Sequence, residues 1–244
     1  MSEDKREPGK RLFVGIRVSV ATANALAGAA ETLARRARDA GIDIRWVAPV
    51  SYHVTLKFLG WTRESAIGAV VDALDAAAEG TPRLTMKCAR LGGFPSLDKA
   101  SVIWAGIEEQ SGALEALAKR IETNVSRLGF PPEKRGFHAH VTIGRLRETR
   151  PVREVVLPLS EQMFGDTRVD ALTLFESDTK SSGSVYSELR RIDFKTPRSG
   201  SISEVQRQTP AVQLDPTTRS NESAAVGDTE TDDGWPRGHH HDDL

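Results

Sequence analysis

The chain has 244 residues, 39% of them hydrophobic, and a formal net charge of −1, which is enough apolar content for a sizeable core. No apolar run approaches the ~20 residues that span a bilayer, and no apolar signal core follows the charged opening MSEDKREPGKR, so a soluble cytoplasmic protein is expected. The single cysteine, Cys88, excludes an internal disulfide, and its setting in LTMKCARL marks it as a small buried filler.

Charge divides the chain. Residues 197–244 carry −5 and residues 1–196 the balancing +4. The acidic stretch is poor in aliphatics, rich in Ser, Thr and Pro, and without a sustained period, so it is expected to be disordered; the GHHHDDL end reads as solvated. Residues 1–10 are expected to form a flexible N-terminus and residues 11–196 the folded domain. Its modestly basic balance suits an anionic partner without proving one.

RLFVGIRV, Arg11 to Val18, opens the domain as a strand. The next segment places Leu26, Ala30, Leu33 and Ala37 on one helical face and stops at Gly41. DIRWVAPVS leads across Pro49 into the strand HVTL. A second helix is expected over about 63–79, with Ile67, Val70, Val71 and Leu74 inward, and then the strands LTMKCARLGGF and ASVIWAGIEE. A third helix, about 112–128, carries the stripe Leu114, Leu117, Ile121, Val125 and Leu128. The basic loop PPEKRGFHA delivers the strand HVTI, and VDALTLFES and SVYSELRRIDF close the pattern as two strands around DTKSSGS. Strands and helices alternate without the Gly-rich phosphate fingerprints of a doubly wound nucleotide-binding sheet. The order describes an α+β fold of two lobes, each owning one HVT strand and related to the other by a pseudo-twofold axis.

The repeat itself carries the chemistry. HVTLKFLG begins at His53 and HVTIGRLR at His140, 87 residues later. Side chains alternate along a strand, so His53 and Thr55 share one face while Val54 and Leu56 enter the core, and likewise His140 and Thr142 against Val141 and Ile143. Lobes that face each other would line one cleft with two imidazoles and two hydroxyls. Imidazoles titrate near pH ~6.5, so a modest shift divides acid from base work between them, and the hydroxyls can donate to phosphate oxygens. No metal or other cofactor is required, because neither motif has further ligands at zinc spacing. His138 falls either on the same face as His140 or in the loop at the strand entrance. Trp46 and Phe58 are aromatic candidates for stacking a terminal base.

These features resemble the 2H phosphoesterase superfamily, and specifically the RNA 2′,3′-cyclic phosphodiesterases historically called 2′-5′ RNA ligases. RLFVGI, RWVAPVSYHVTLKFLG, GFHAHVTIGRL, LFES and GSVYSELRRI occur in that family's order over about residues 11–195. The second motif has His138-Ala139 where the family commonly has a proline before the histidine, and Val50-Ser51-Tyr52 departs from its usual turn before the first. The resemblance implies a bilobal fold of two pseudo-symmetric antiparallel sheets with outer helices around a central cleft. It also implies metal-free hydrolysis of an RNA terminal 2′,3′-cyclic phosphate to a 2′-phosphate, run in reverse as 2′-5′ ligation. By the same resemblance His53 is the proton donor, His140 the acceptor, Thr55 and Thr142 hold nonbridging oxygens, and Arg145 neutralises phosphate charge. The near-symmetric motifs do not themselves say which ring does which. RNA with a cyclic-phosphate end is then the expected partner of a monomeric enzyme with no membrane partner. Two other readings are a binding module that holds a nucleotide without turnover, and an enzyme for a small cyclic nucleotide such as ADP-ribose 1″,2″-cyclic phosphate.

Overall fold

The computed structural model describes residues 7–180 and 183–194; the acidic stretch 197–244 and residues 1–6 lie outside them. Strand β1 spans Gly9–Arg17, so residues 9 and 10, expected in the flexible N-terminus, belong to the sheet. Helix α1, Val20–Asp39, starts where the Ser19 side chain accepts from the Thr22 N–H. It ends at Gly41, whose φ of +67° reverses the chain as a left-handed residue. β2 is the two-residue strand Arg45–Trp46 and β3 the long strand His53–Arg63. β3 runs through Arg63, and helix α2, Ile67–Ala78, therefore starts later than the periodicity suggests. β4 (Leu84–Phe94), β5 (Ala100–Glu108), α3 (Ala113–Ser126) and β6 (His140–Arg150) follow the expected order. A helical turn at Arg153–Val156 precedes β7, Met163–Val169, which has no counterpart among the expected strands. β8 (Ala171–Lys180) and β9 (Gly183–Asp193) complete the fold.

All strand pairs are antiparallel, in the order β7-β4-β5-β6-β3-β1-β8-β9, with β2 added against β6. Two halves are evident. β3-β1-β8-β9 and β6-β5-β4-β7 join at one register pair, Val54↔Val141, so the sheet is continuous across a narrow seam. Each half repeats a strand, a helix and an HVT strand: β1-α1-β3 in one, β5-α3-β6 in the other.

The apolar face expected of each helix is the one it buries. Leu26, Ala30, Leu33 and Ala37 of α1 are buried against the half containing β7 and β6, and Leu114, Leu117, Ile121 and Val125 of α3 against α2 and β3. Each connecting helix thus packs partly on the opposite half of the sheet. Leu128, the last residue of the expected stripe, lies past the end of α3 and is exposed. Cys88 is buried in β4, and burial pushes its thiol up to about 12, as befits a packing residue.

Candidate active site

The two HVT strands are antiparallel neighbours, so the step on either side of Val54↔Val141 brings His53 towards Thr142 and Thr55 towards His140. Val54 and Val141 are wholly buried beneath. His53, Thr55, His140, Thr142, Arg145 and Phe58 all line one cleft of ≈ 520 Å³, so the structure gathers six of the seven candidate residues.

Arg145 and Phe58 reach the cleft by a shared device. Strict alternation would send Arg145 to the core side with Val141 and Ile143, and Phe58 there with Val54 and Leu56. In β3 the register passes from Val14↔Lys57 to Gly15↔Thr55, skipping Leu56; in β6 it passes from Ile103↔Gly144 to Trp104↔Thr142, skipping Ile143. Each extra residue is a β-bulge that re-aims the side chains beyond it. Both bulges fall three residues after the motif histidine, and both turn the fifth residue after it into the cleft, an aromatic ring in one half and a guanidinium in the other.

Trp46 is not part of the site. It pairs with Gly144 across β2 and β6, and its indole fills the space a Cβ on Gly144 would need, 3.2 Å away. The ring is half-buried there, outside the cleft of the histidines. The pairing of β2, not the local apolar pattern, decides its direction.

Each histidine is oriented by a backbone carbonyl two residues earlier. His53 Nδ1 lies 2.7 Å from the Ser51 carbonyl and His140 Nδ1 2.7 Å from the His138 carbonyl. A carbonyl only accepts, so both rings carry their proton on Nδ1 and leave Nε2 for chemistry. His53 Nε2 is 3.1 Å from the Thr55 hydroxyl. β6 begins at His140, so His138 is the loop residue at the strand entrance, and it acts on His140 through its backbone.

Several participants carry no signal in the HVT repeat. The His53 ring stacks obliquely 4.7 Å from Phe13 and meets Tyr186 edge-on at 5.1 Å. Gly15 permits this packing, since a Cβ there would stand 2.8 Å from the Val54 carbonyl and 3.4 Å from the His53 ring. His140 has Phe94 edge-on at 5.0 Å. Arg17 lies close enough to His53 to act on its charge, and is held by the Val50 carbonyl at 2.6 Å and by the face of Phe175. The odd-numbered alternation Arg11, Phe13, Gly15, Arg17 on β1 was the available clue to that face.

Lys57 is a further surprise. It is 2% exposed, and its ammonium bonds the Glu122 carboxylate at 2.9 Å and the Pro131 carbonyl at 2.8 Å. Glu122 also accepts the Glu133 N–H. Lys57 therefore ties β3, two residues past Thr55, to α3 and to the loop that delivers His138 and His140.

Both imidazoles are harder to protonate than usual. Burial lowers His53 to about 4, against the raising effect of the Ser51 carbonyl and with the help of Arg17, Arg145 and His140. Burial also lowers His140, against the raising effect of the His138 carbonyl and with the charge interactions of His138 and Arg145 adding to the lowering. Before an anion binds, the two rings are neutral at pH 7, and an arriving anion cancels the arginine charge that helps keep them so. The arrangement supplies two neutral imidazoles, two hydroxyls and a guanidinium around space for one anionic group.

The chain is similar to known proteins in sequence and in fold. The family profile described as LigT like Phosphoesterase matches residues 20–104 and 106–186. The chain is 29% identical over 165 residues to the RNA 2′,3′-cyclic phosphodiesterase of Aeropyrum pernix, covering 66% of this chain and 92% of that one. It is 30% identical over 148 residues to the enzyme of the same name from Archaeoglobus fulgidus, covering 60% and 82%. Among solved structures, a Thermus thermophilus protein superposes with a TM-score of 0.64 at 25% identity, covering 75% of this chain and 97% of that one. E. coli LigT complexed with 3′-AMP shares the fold, with a TM-score of 0.57 at 24% identity and coverage of 77% and 99%.

Proposed function

The chain belongs to the LigT-like phosphoesterases, of the 2H phosphoesterase superfamily, and on that premise we propose that it opens the terminal 2′,3′-cyclic phosphate of RNA with water, leaving a 2′-phosphate. The observation that carries this reading is the pair of histidines whose Nδ1 atoms are fixed on backbone carbonyls, both in one cleft with Arg145. The curated relatives bearing the name RNA 2′,3′-cyclic phosphodiesterase support it.

Opening the ring is an in-line displacement at phosphorus. A water oxygen forms the new P–O bond while the bond to the 3′ oxygen breaks, so one proton must leave the nucleophile and another must reach the leaving group on the opposite side. Two imidazoles set across a cleft meet that demand without a second molecule of solvent. His140 takes the water proton on Nε2, and His53 gives a proton from Nε2 to the 3′ oxygen. His53 is held to about 4 before substrate arrives, so its role as donor depends on the substrate. The bound phosphodiester anion restores its proton affinity, and the face of Phe13 then flanks an imidazolium. Thr55 and Thr142 donate to the nonbridging oxygens, and Arg145 offsets the charge that builds on them in the transition state. Phe58 offers its ring to a base. No step assigned to these residues calls on a metal. Run backward, with a 5′-hydroxyl in place of water, the same groups would form a 2′-5′ bond; in water, hydrolysis dominates.

The test is an RNA oligomer ending in a 2′,3′-cyclic phosphate, followed by ³¹P NMR. A 2′-phosphate product is expected, at a kcat/KM well above that for ADP-ribose 1″,2″-cyclic phosphate. A 3′-phosphate product, or preference for the small nucleotide, would contradict the reading.

A further inference from the structure

Arg11 lines the cleft of the histidines, yet the chemistry at phosphorus makes no use of it. It lies four residues along β1 from Gly15, the register partner of Thr55, or about 13 Å of strand. The side chain is exposed, and among the described residues it makes no hydrogen bond or ion pair. The carboxylate of Glu176 on the neighbouring strand β8 is engaged instead by Lys10, at 2.7 Å, and Lys10 and Arg11 point to opposite faces of the sheet. Arg11 is therefore an uncommitted cation at the far end of a cleft that takes an anion.

Its register partner on β3 is Trp61, and paired residues share a face. Strict alternation after Phe58 would send Trp61 to the core side. The register passes instead from Phe13↔Phe58 to Leu12↔Gly60, skipping Leu59, and Gly60 takes a φ of +71°. This second bulge in β3 turns Trp61 to the side of Arg11 and leaves Thr62 buried behind it. The indole is seated on Gly9, where a Cβ would stand 2.9 Å from the ring, and it is still 65% exposed. A large ring held against backbone and open to water, next to an unpaired guanidinium, is the combination that binds single-stranded nucleic acid without reading its sequence.

We infer that this strip carries the RNA chain away from its reacting end: Arg11 meets the phosphate that joins the terminal nucleotide to the one before it, and Trp61 stacks the base of that preceding nucleotide. The strip would thereby favour a polymer over a free nucleotide. This rests on the cyclic-phosphodiesterase reading. The test compares three substrates: cytidine 2′,3′-cyclic phosphate, the same compound with an added 5′-phosphate, and the dinucleotide CpC ending in a 2′,3′-cyclic phosphate. The first has neither feature, the second adds the phosphate, and the third adds the preceding nucleoside. Wild type is assayed beside Arg11→Gln, Trp61→Ala and Trp61→Phe, all at exposed positions.

The expected result is that wild-type kcat/KM rises at each addition, by roughly 10-fold for the 5′-phosphate, as for a charge-assisted hydrogen bond, and by about 5- to 150-fold more for the stacked base. Arg11→Gln should abolish the first gain and Trp61→Ala the second, whereas Trp61→Phe should keep most of it; all three variants should open cytidine 2′,3′-cyclic phosphate like wild type. A gain that survives Arg11→Gln would overturn the role of the arginine, and one that survives Trp61→Ala that of the tryptophan. Equal losses on all three substrates, or no gain in wild type as the chain is lengthened, would overturn the strip as an RNA path. Failure of wild type to open any of the three rings would instead remove the phosphodiesterase reading, and the proposal with it.

Discussion

Val54 and Val141 form the one register pair between β3 and β6, and the two halves of the sheet meet there. Their side chains are wholly buried, so the motif residues that flank them must face the other way, into the cleft. The repeated H-V-T string is therefore a geometric device: each valine anchors a strand, and each histidine and threonine inherits its direction from that anchor.

The state of the rings gives the first prediction. By long-range ¹H–¹⁵N NMR at pH 7, His53 and His140 should both be neutral with the proton on Nδ1. His53 should titrate near 4 and His140 below the usual 6.5. Inorganic phosphate should raise both. Protonated rings at pH 7 without phosphate would contradict the electrostatic description.

The same shift predicts acid sensitivity. The unfolded chain takes up a proton near pH 6.5, whereas native His53 refuses it until about 4. The stability this represents is present above 6.5 and is lost as pH falls towards 4, amounting to roughly 3 kcal/mol at ~1.4 kcal/mol per unit. Urea unfolding of wild type and His53→Gln checks it: the variant should lose less stability across that interval, and parallel curves would contradict it.

Lys57→Met should be destabilising by roughly 3–5 kcal/mol, the usual result of removing one partner of a buried pair, tempered here because Glu122 keeps some contact with solvent. The loop before His140 loses its tie, so turnover should fall as well. Thermal unfolding and a phosphodiesterase assay measure the two effects; an unchanged melting temperature would show that the clamp contributes nothing.

Much of this site was legible in advance because alternation and helical period are local properties. His53, Thr55, His140 and Thr142 needed only a two-residue period, and α1 and α3 only an apolar stripe. What escaped depends on partner strands. The bulges at Leu56 and Ile143 exist in the pairing of β3 with β1 and of β6 with β5, so the cleft-facing directions of Phe58 and Arg145 could not follow from their own strands. Arg145 came instead from family resemblance. Trp46 is a stacking candidate by its aromatic side chain alone, and its pairing with Gly144 turns it away from the cleft. β7, with Gly165 and Asp166 at its centre, has weak strand propensity and is held by its ladder to β4. Tyr186 reaches His53 only because β9 and β8 bring it across the sheet.

Activity should survive excess EDTA, since among the described residues no three His, Cys, Asp or Glu side chains lie close enough to share a metal ion. Loss of cyclic-phosphate hydrolysis, restored by one particular metal, would contradict the mechanism.

The most direct test of the account is turnover of a cyclic-phosphate-ended RNA by His53→Ala, His140→Ala and the double variant, each first confirmed folded by circular dichroism. If the two rings act as acid and base in one displacement, each single variant should lose on the order of 10²–10⁴-fold in kcat, and the double variant should be little worse than the poorer single one, as for residues that act as a unit. Near-wild-type turnover by either folded single variant would contradict the paired-histidine mechanism and leave that copy of the motif as a strand without a catalytic share.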